Sequence, residues 1–127
     1  MSGIARLRNI VLDCPDIKLL AEFYRDLLGW EIVWADYEAE DGWVTLSGGG
    51  FPRLCFQRAA DYRPPRWPDP DHPQQIHIDV TVDDMDAAER QVLELGAVKA
   101  DVQPSKKDEF RVFLDPAGHP FCLCVDQ

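Results

Sequence analysis

Positive charge is scarce in this chain. Its 127 residues include 13 Lys and Arg against 23 Asp and Glu, which gives a formal net charge of −10 at pH 7. A surface of this sign repels phosphates, so the composition argues against a nucleic-acid partner or an anionic membrane. Long apolar runs are also missing, since none approaches the roughly 20 residues that a spanning helix needs. We therefore expect no contact with a membrane.

Signs of secretion are also lacking. The four cysteines, at positions 14, 55, 122 and 124, lie in strand-like apolar runs without the spacing of a disulfide framework. The amino terminus has no apolar stretch that leads to a cleavage site. We therefore expect reduced thiols in a cytoplasmic protein.

What the sequence does contain is an internal repeat. Residues 9–16 align with residues 77–84 at an offset of 68, and the same offset places Gly50 on Gly118. Between these anchors, residues 27–30 align with the shorter segment 95–97. Such self-similarity indicates two copies of one supersecondary unit. We predict a single domain, residues 1–127, with module one at about 5–58 and module two at about 76–125.

Hydrophobic periodicity divides each module into a strand, a helix and three strands, which is an α+β arrangement written βαβββ. Asp16 caps the first helix and Gly29 stops it, while Asp83 or Asp84 caps the second and Gly96 stops it. The eight strands are predicted at residues 6–14, 31–36, 43–47, 53–58, 76–82, 98–102, 110–114 and 121–125.

A proline-rich strap, residues 59–75, joins the modules. It holds half of the ten prolines, together with Tyr62 and Trp67. Proline holds the chain extended and donates no ladder hydrogen bond, so we expect a semi-rigid connection. Its aromatic side chains pack either on their own domain or on a ligand, as a lid.

Strand alternation assigns side chains to the two faces of each sheet. Asn9 and His77 occupy equivalent positions on the face away from the helices. Asp79 shares that face with His77, where it either orients the imidazole or acts as a base; an ion pair with Arg111 is the alternative. The forked guanidinium group of Arg111 suits an anionic ligand, and a structural ion pair is the alternative role.

Three segments carry a family resemblance: residues 9–16, residues 23–30 (FYRDLLGW) and residues 115–121 (DPAGHPF). In this order, and with the duplication, the chain resembles the vicinal oxygen chelate superfamily. That superfamily includes glyoxalase I, extradiol dioxygenases and the bleomycin- and fosfomycin-resistance proteins. The resemblance implies paired βαβββ modules that form a curved mixed sheet, a cup or half-barrel with the helices outside.

The resemblance also implies where the enzymes of this superfamily hold a divalent metal. The ligand positions fall on Asn9, His77 and Cys122, with Gln57 as the fourth, although the 68-residue offset places Leu54 opposite Cys122. The expected carboxylates are absent, and hard ions favour carboxylate oxygens. We therefore expect no cofactor. A divalent ion such as Zn, Ni, Mn or Fe is the alternative, with His77 and Cys122 as the useful zinc ligands.

These residues favour a metal-free binding protein of the glyoxalase and bleomycin-resistance type, with a small apolar or aromatic ligand in the cup. Whether a reaction is catalysed stays open. A metal-dependent lyase, isomerase or transferase is the first alternative, and an interaction module with a vestigial pocket is the second. We also expect a homodimer, because strand edges need protection. The candidate ligand-binding residues are Asn9, Gln57, His77, Asp79, Arg111 and Cys122.

Overall fold

The computed structural model describes residues 3–4 and 6–125. The chain divides into two compact units, Met1–Tyr62 and Arg63–Gln127, and the boundary lies inside the predicted strap. Each unit is one βαβββ module, which confirms the α+β class and the duplication. The eight strands form two four-stranded mixed sheets, one in each module, where the sequence predicted one curved sheet.

Module one is built on the sheet order β1-β4-β3-β2. β1 is parallel to β4, and the other neighbouring strands are antiparallel. The helix begins after Asp16, whose side chain accepts a hydrogen bond from the Leu19 N–H at 3.1 Å, and it ends at Gly29 with φ 67°. The elements β1, α1, β2, β3 and β4 span Asn9–Cys14, Ile17–Leu28, Glu31–Asp36, Trp43–Ser47 and Arg53–Arg58.

The core of module one lies between α1 and one face of this sheet. Tyr24 is 1% exposed and stacks on Phe56, with 5.6 Å between the ring centroids. Leu12 and Leu46 are buried on the same side. Truncating a buried aromatic side chain of this kind costs about 3–5 kcal/mol. Tyr24 and Phe56 are therefore packing residues.

Module two repeats the plan with the sheet order β5-β8-β7-β6. Of the two predicted caps it uses Asp84, whose side chain accepts a hydrogen bond from the Ala87 N–H at 3.0 Å. The helix ends at Gly96, with φ 112°. The elements β5, α2, β6, β7 and β8 span Ile78–Thr81, Met85–Leu95, Val98–Lys99, Phe110–Leu114 and Pro120–Cys124.

The repeat changes its offset at the second helix. α1 has 12 residues and α2 has 11. In the parallel pairs, Val11 is opposite Cys55 and Asp79 is opposite Cys122. The first-strand residues are thus 68 positions apart and the last-strand residues 67. The predicted alignment of Gly50 with Gly118 was therefore one residue out of register.

Three strands are shorter than predicted. β1 begins at residue 9 instead of 6, although the Arg53 N–H still donates to the Arg8 carbonyl at 2.9 Å. β5 spans Ile78–Thr81 and so lacks three predicted residues, 76, 77 and 82, and β6 has only two residues. Beyond β6, hydrogen bonds of the Gln103 side chain take the place of backbone hydrogen bonds between strands. The side-chain amide of Gln103 donates to the Ala100 and Val112 carbonyls and accepts from the Val112 N–H.

The strap packs on module two. Trp67 contacts a buried cluster formed by Ala100, Val112 and Cys122. A Cβ atom on Gly118 would lie 3.1 Å from Cβ of Pro64, so the strap also follows the turn before β8 closely. Of the two predicted roles for the strap aromatics, packing on their own module applies to Trp67. Neither helix in the described part of the chain is long and apolar enough to span a membrane.

Candidate functional site

Module two brings three candidate side chains together. β5 runs parallel to β8, and the register pairs Asp79 with Cys122. His77 lies just before β5 and two residues before Asp79, so strand alternation places both side chains on one face. α2 packs against β8 on the other face. We call the face of each sheet that lies away from its helix the distal face.

The three side chains form a compact polar cluster. His77 Nε2 lies 3.2 Å from Asp79 Oδ1. One ligand atom from each of His77, Asp79 and Cys122 lies within 4.8 Å of the other two. His77 and Asp79 are exposed, whereas Cys122 is 7% exposed. Asp79 therefore contacts His77, whereas the carboxylates that contact Arg111 are others; whether Asp79 orients the imidazole or acts as a base stays a prediction.

The electrostatics of the cluster keep the thiol protonated. The pKa of Cys122 is raised from 9.0 to about 12, first by burial, then by the negative charge of Asp79 and a hydrogen bond with it. At neutral pH the Cys122 S–H is therefore a donor for the Asp79 carboxylate. Because the thiolate is the reactive form of cysteine, this thiol is a weak nucleophile. The cluster is better suited to hydrogen bonding than to covalent attack.

Arg111 lies apart from this cluster, on the helix side of the same sheet. It pairs with Leu123, the neighbour of Cys122, so the side chains of Arg111 and Cys122 point to opposite faces. Hydrogen bonding, chiefly with Asp108, raises the pKa of Arg111 above its ordinary value. This network supports the ion-pair role for Arg111. Its guanidinium contacts the carboxylates of Asp108 at 2.7 Å, Asp86 at 2.9 Å and Glu89 at 3.2 Å.

Asn9 and Gln57 lie in module one, on the parallel strands β1 and β4. Asn9 is paired with Arg53 and Gln57 with Asp13, on the distal face. Asn9 Oδ1 accepts a hydrogen bond from Arg53 Nε at 3.1 Å. The amide oxygen of Asn9 is therefore already directed at a cationic group. Gln57 is half-buried, and its part in ligand binding stays a prediction.

The alignment of the two modules at an offset of 68 residues missed Cys55. Cys55 occupies in module one the position that Cys122 occupies in module two. Cys55 is fully buried, and its thiol lies 3.6 Å from Thr45 Oγ1. Two signals identify this position. One is the shorter second helix, and the other is the match between Leu54-Cys55-Phe56 and Phe121-Cys122-Leu123. By the same register, Gln57 corresponds to Cys124.

Aromatic side chains line the distal face of module one. Trp43 and Thr45 lie on β3, and Trp43 Nε1 donates to Thr45 Oγ1 at 2.8 Å. Thr45 is paired with Cys55 on one side and with Trp34 on the other. Trp34 therefore shares this face, where it is 55% exposed. The distal face of module one thus presents indole surface, and Phe56 does not contribute to it.

The residues present do not fit the four-ligand metal site that the family resemblance implies. In module one the predicted ligands are Asn9, whose oxygen accepts a hydrogen bond from a guanidinium, and the neutral amide of Gln57. The strand register adds Cys55, a buried thiol that is hydrogen-bonded to Thr45. A guanidinium at hydrogen-bond distance uses a lone pair of Asn9 and repels a divalent cation. Module two alone offers His77, Asp79 and Cys122, a nitrogen, oxygen and sulfur set that suits zinc.

The paired βαβββ modules, each with its own mixed sheet and capped helix, define the class as the vicinal oxygen chelate type. Residues 9–124 match the family described as the Glyoxalase-like domain. The chain therefore belongs to this family, within the glyoxalase, bleomycin-resistance and dioxygenase superfamily. No curated protein matches the sequence.

Solved structures share the fold at low sequence identity. The fosfomycin resistance protein FosX from Mesorhizobium loti has 16% identity and a TM-score of 0.70, covering 98% of this chain and 94% of that one. Hypothetical protein SA1046 from S. aureus has 22% identity and a TM-score of 0.66, with 98% and 100% covered. TnmS3, an antibiotic binding protein from Streptomyces sp. CB03234, has 16% identity and a TM-score of 0.62, with both chains covered in full (100%).

Proposed function

We propose that this protein binds a small apolar or aromatic molecule without a metal ion and without turnover. The observation that carries the proposal is the hydrogen bond of 3.1 Å from Arg53 Nε to Asn9 Oδ1. This bond places positive charge at the first-strand position where the enzymes of the superfamily hold a cation. A metal-dependent reaction would have to displace the guanidinium first.

The chemistry of the distal faces supports a ligand that is mainly apolar. Module one offers the exposed indole of Trp34 and the half-buried indole of Trp43. Module two offers His77 and Asp79 as polar groups beside the apolar cluster that includes Cys122. Small-molecule sites are mostly apolar, with a few placed polar groups that fix orientation. Arg111 is left out of the proposed ligand-binding residues because three carboxylates already neutralise its guanidinium.

Two structural neighbours make a drug-like ligand reasonable. One is named a fosfomycin resistance protein and the other an antibiotic binding protein. At 16% identity each shows only a shared fold, so the ligand class for this chain belongs to the proposal. We further propose that the protein works in the cytoplasm, since all four cysteines remain thiols.

Indole fluorescence under metal-free conditions tests the binding function. A panel of aromatic metabolites and antibiotics is titrated in the presence of EDTA, and melting temperatures are recorded in parallel. We expect at least one compound to quench tryptophan emission and to raise the melting temperature. The Trp34→Ala and Trp43→Ala variants should weaken its binding by about tenfold or more. Leu19→Ala, which removes an exposed apolar side chain on α1, is the matched control and should bind normally.

The cluster of His77, Asp79 and Cys122 favours a second candidate, a metal-dependent lyase, isomerase or transferase of the glyoxalase type. Cobalt(II) provides a sensitive test, because a cobalt–thiolate bond absorbs in the near ultraviolet. A stoichiometric band that disappears in Cys122→Ser, together with metal-dependent consumption of a hemithioacetal, would replace the binding proposal with this one. If neither a ligand nor a metal binds, an interaction module with a vestigial pocket is the remaining function.

A further inference from the structure

Module one contains a cavity that the proposed function does not use. Its volume is about 540 Å³, and it is lined by Ile4, Arg6, Leu7, Arg8 and Phe51. Arg8, directly before β1, is attached to β4, because its carbonyl accepts a hydrogen bond from the Arg53 N–H at 2.9 Å. The volume falls within the range of roughly 300–1,000 Å³ that small-molecule sites occupy.

Positive charge is concentrated around this cavity. Among the described residues, the lining contains Arg6 and Arg8 and no acidic side chain. Cζ of a third arginine, Arg53, lies 4.9 Å from the centroid of the Phe51 ring. Within residues 3–4 and 6–125, the side chains of Arg6 and Arg8 form no ion pair. In a chain with a net charge of −10, such a cluster attracts anions locally.

Apolar surface lies directly beside this charge. Leu7 is 63% exposed and Phe51 is 69% exposed, and Ile4 is fully exposed. Large apolar side chains that stay in water around a concave site are typical of surfaces that bind a partner molecule. Guanidinium groups next to an aromatic ring and aliphatic side chains match an anionic head group joined to an apolar body.

We propose that this cavity binds a small organic anion with an apolar tail, such as a medium-chain carboxylate. The two arginines pair with the carboxylate, because the guanidinium fork matches its two oxygens. Leu7 and Phe51 cover the tail. The site goes beyond the proposed function, since it uses none of His77, Asp79 and Cys122, and its failure would leave that function intact.

Binding of octanoate tests the proposal. Octanoate, octan-1-ol and inorganic phosphate are each titrated by calorimetry and by NMR of the arginine Nε–H and leucine methyl groups. We expect one octanoate per chain, with octanol and phosphate each at least about tenfold weaker. An Arg6→Gln, Arg8→Gln double variant should lose at least about tenfold in octanoate affinity. Nuclear Overhauser contacts from the octanoate methylenes to Phe51 provide a second readout that needs no variant.

The control is Arg90→Gln, which removes an exposed positive charge on α2 and should leave octanoate binding unchanged. Equal loss in Arg90→Gln and in the double variant would mean nonspecific charge attraction and would overturn the proposal. So would no octanoate binding at millimolar concentration, or phosphate binding as tightly as octanoate. A change of oligomeric mass in the double variant without octanoate binding would assign the surface to a second copy of the chain instead.

Discussion

At the scale of single residues, Asp79 and Cys122 determine each other's chemistry. The carboxylate contributes to the raised pKa of the thiol, after burial itself. The Asp79→Asn variant removes the negative charge but keeps the shape, so the pKa of Cys122 should fall while burial continues to hold it above 9.0. Each unit of that fall increases the thiolate fraction about tenfold at a fixed pH below the pKa.

We therefore expect Asp79→Asn to accelerate alkylation of Cys122 by iodoacetamide several-fold at mildly alkaline pH. Mass spectrometry of the peptide that contains Cys122 measures the rate. The matched control is Asp83→Asn, an exposed acidic residue outside the cluster. An unchanged or slower rate in Asp79→Asn would show that the carboxylate does not act on this thiol.

The same thiol predicts how stability depends on pH. Its pKa in the folded protein is about 12, above the ordinary value of 9.0, so the folded state holds the proton more tightly. The resulting stabilisation is fully present below about pH 9 and is lost as the pH rises through about 12. Urea unfolding across the lower part of this window should show a steeper loss of stability in the wild type than in Cys122→Ala. Parallel slopes in the two proteins would contradict the prediction.

At the scale of elements, the strap is part of the packing of module two. Trp67 contacts the cluster formed by Ala100, Val112 and Cys122. Because Trp67 is only partly buried, we expect Trp67→Ala to lower the free energy of unfolding by about 1–3 kcal/mol, less than a fully buried tryptophan would cost. Trp34→Ala, at a position 55% exposed, should change it by less than about 0.5 kcal/mol.

Urea denaturation of both variants decides between the two roles of the strap. Equal and small effects in Trp67→Ala and Trp34→Ala would mean that the strap contributes little to stability. In that case Trp67 would again be a candidate for a ligand lid. The Trp67→Ala variant would then bind the ligand more weakly in the fluorescence titration described above.

Sequence patterns predicted the elements where local signals determine them. Both helices begin and end at the expected cap and stop residues, because an Asp side chain and a left-handed Gly act on the backbone next to them. The end of β6 was not predictable in this way. It depends on the side chain of Gln103, which takes over hydrogen bonds with Val112, and no periodicity records such a contact.

The candidate site was predicted in part for the same reason. Alternation from the first strands placed Asn9 and His77 correctly on the distal faces, since each lies within a few residues of its helix cap. Cys55 was missed because the second helix is one residue shorter, which shifts every later position of module two by one. The alignment of Gly50 with Gly118, both in turns before the last strand of their module, hid this shift. The hydrogen bond between Arg53 and Asn9 depends on strand pairing, which sequence alone does not give.

At the scale of the whole molecule, the two copies of the repeat have diverged in chemistry. Module one carries arginine and indole at the positions discussed here, Arg53, Trp34 and Trp43 among them. Module two carries the polar cluster of His77, Asp79 and Cys122. A duplicated unit keeps its fold through its core and caps, while its distal face is free to change. The missing metal ligands in module one are therefore compatible with a fully retained fold.

The edge strands of the two sheets lead to the last prediction, a homodimer. β1 and β2 end one sheet, and β5 and β6 end the other. β2 carries a register shift after Ile32 and β6 has only two residues, features that discourage further pairing. Within their own sheets, β1 and β5 show neither feature, and exposed apolar residues such as Val11 and Ile76 lie on or beside them. We expect light scattering to give twice the mass of one chain at micromolar concentration. Hydrogen exchange at β1 or β5 should slow as the protein concentration rises. The mass of a single chain up to millimolar concentration, with exchange independent of concentration, would contradict the prediction.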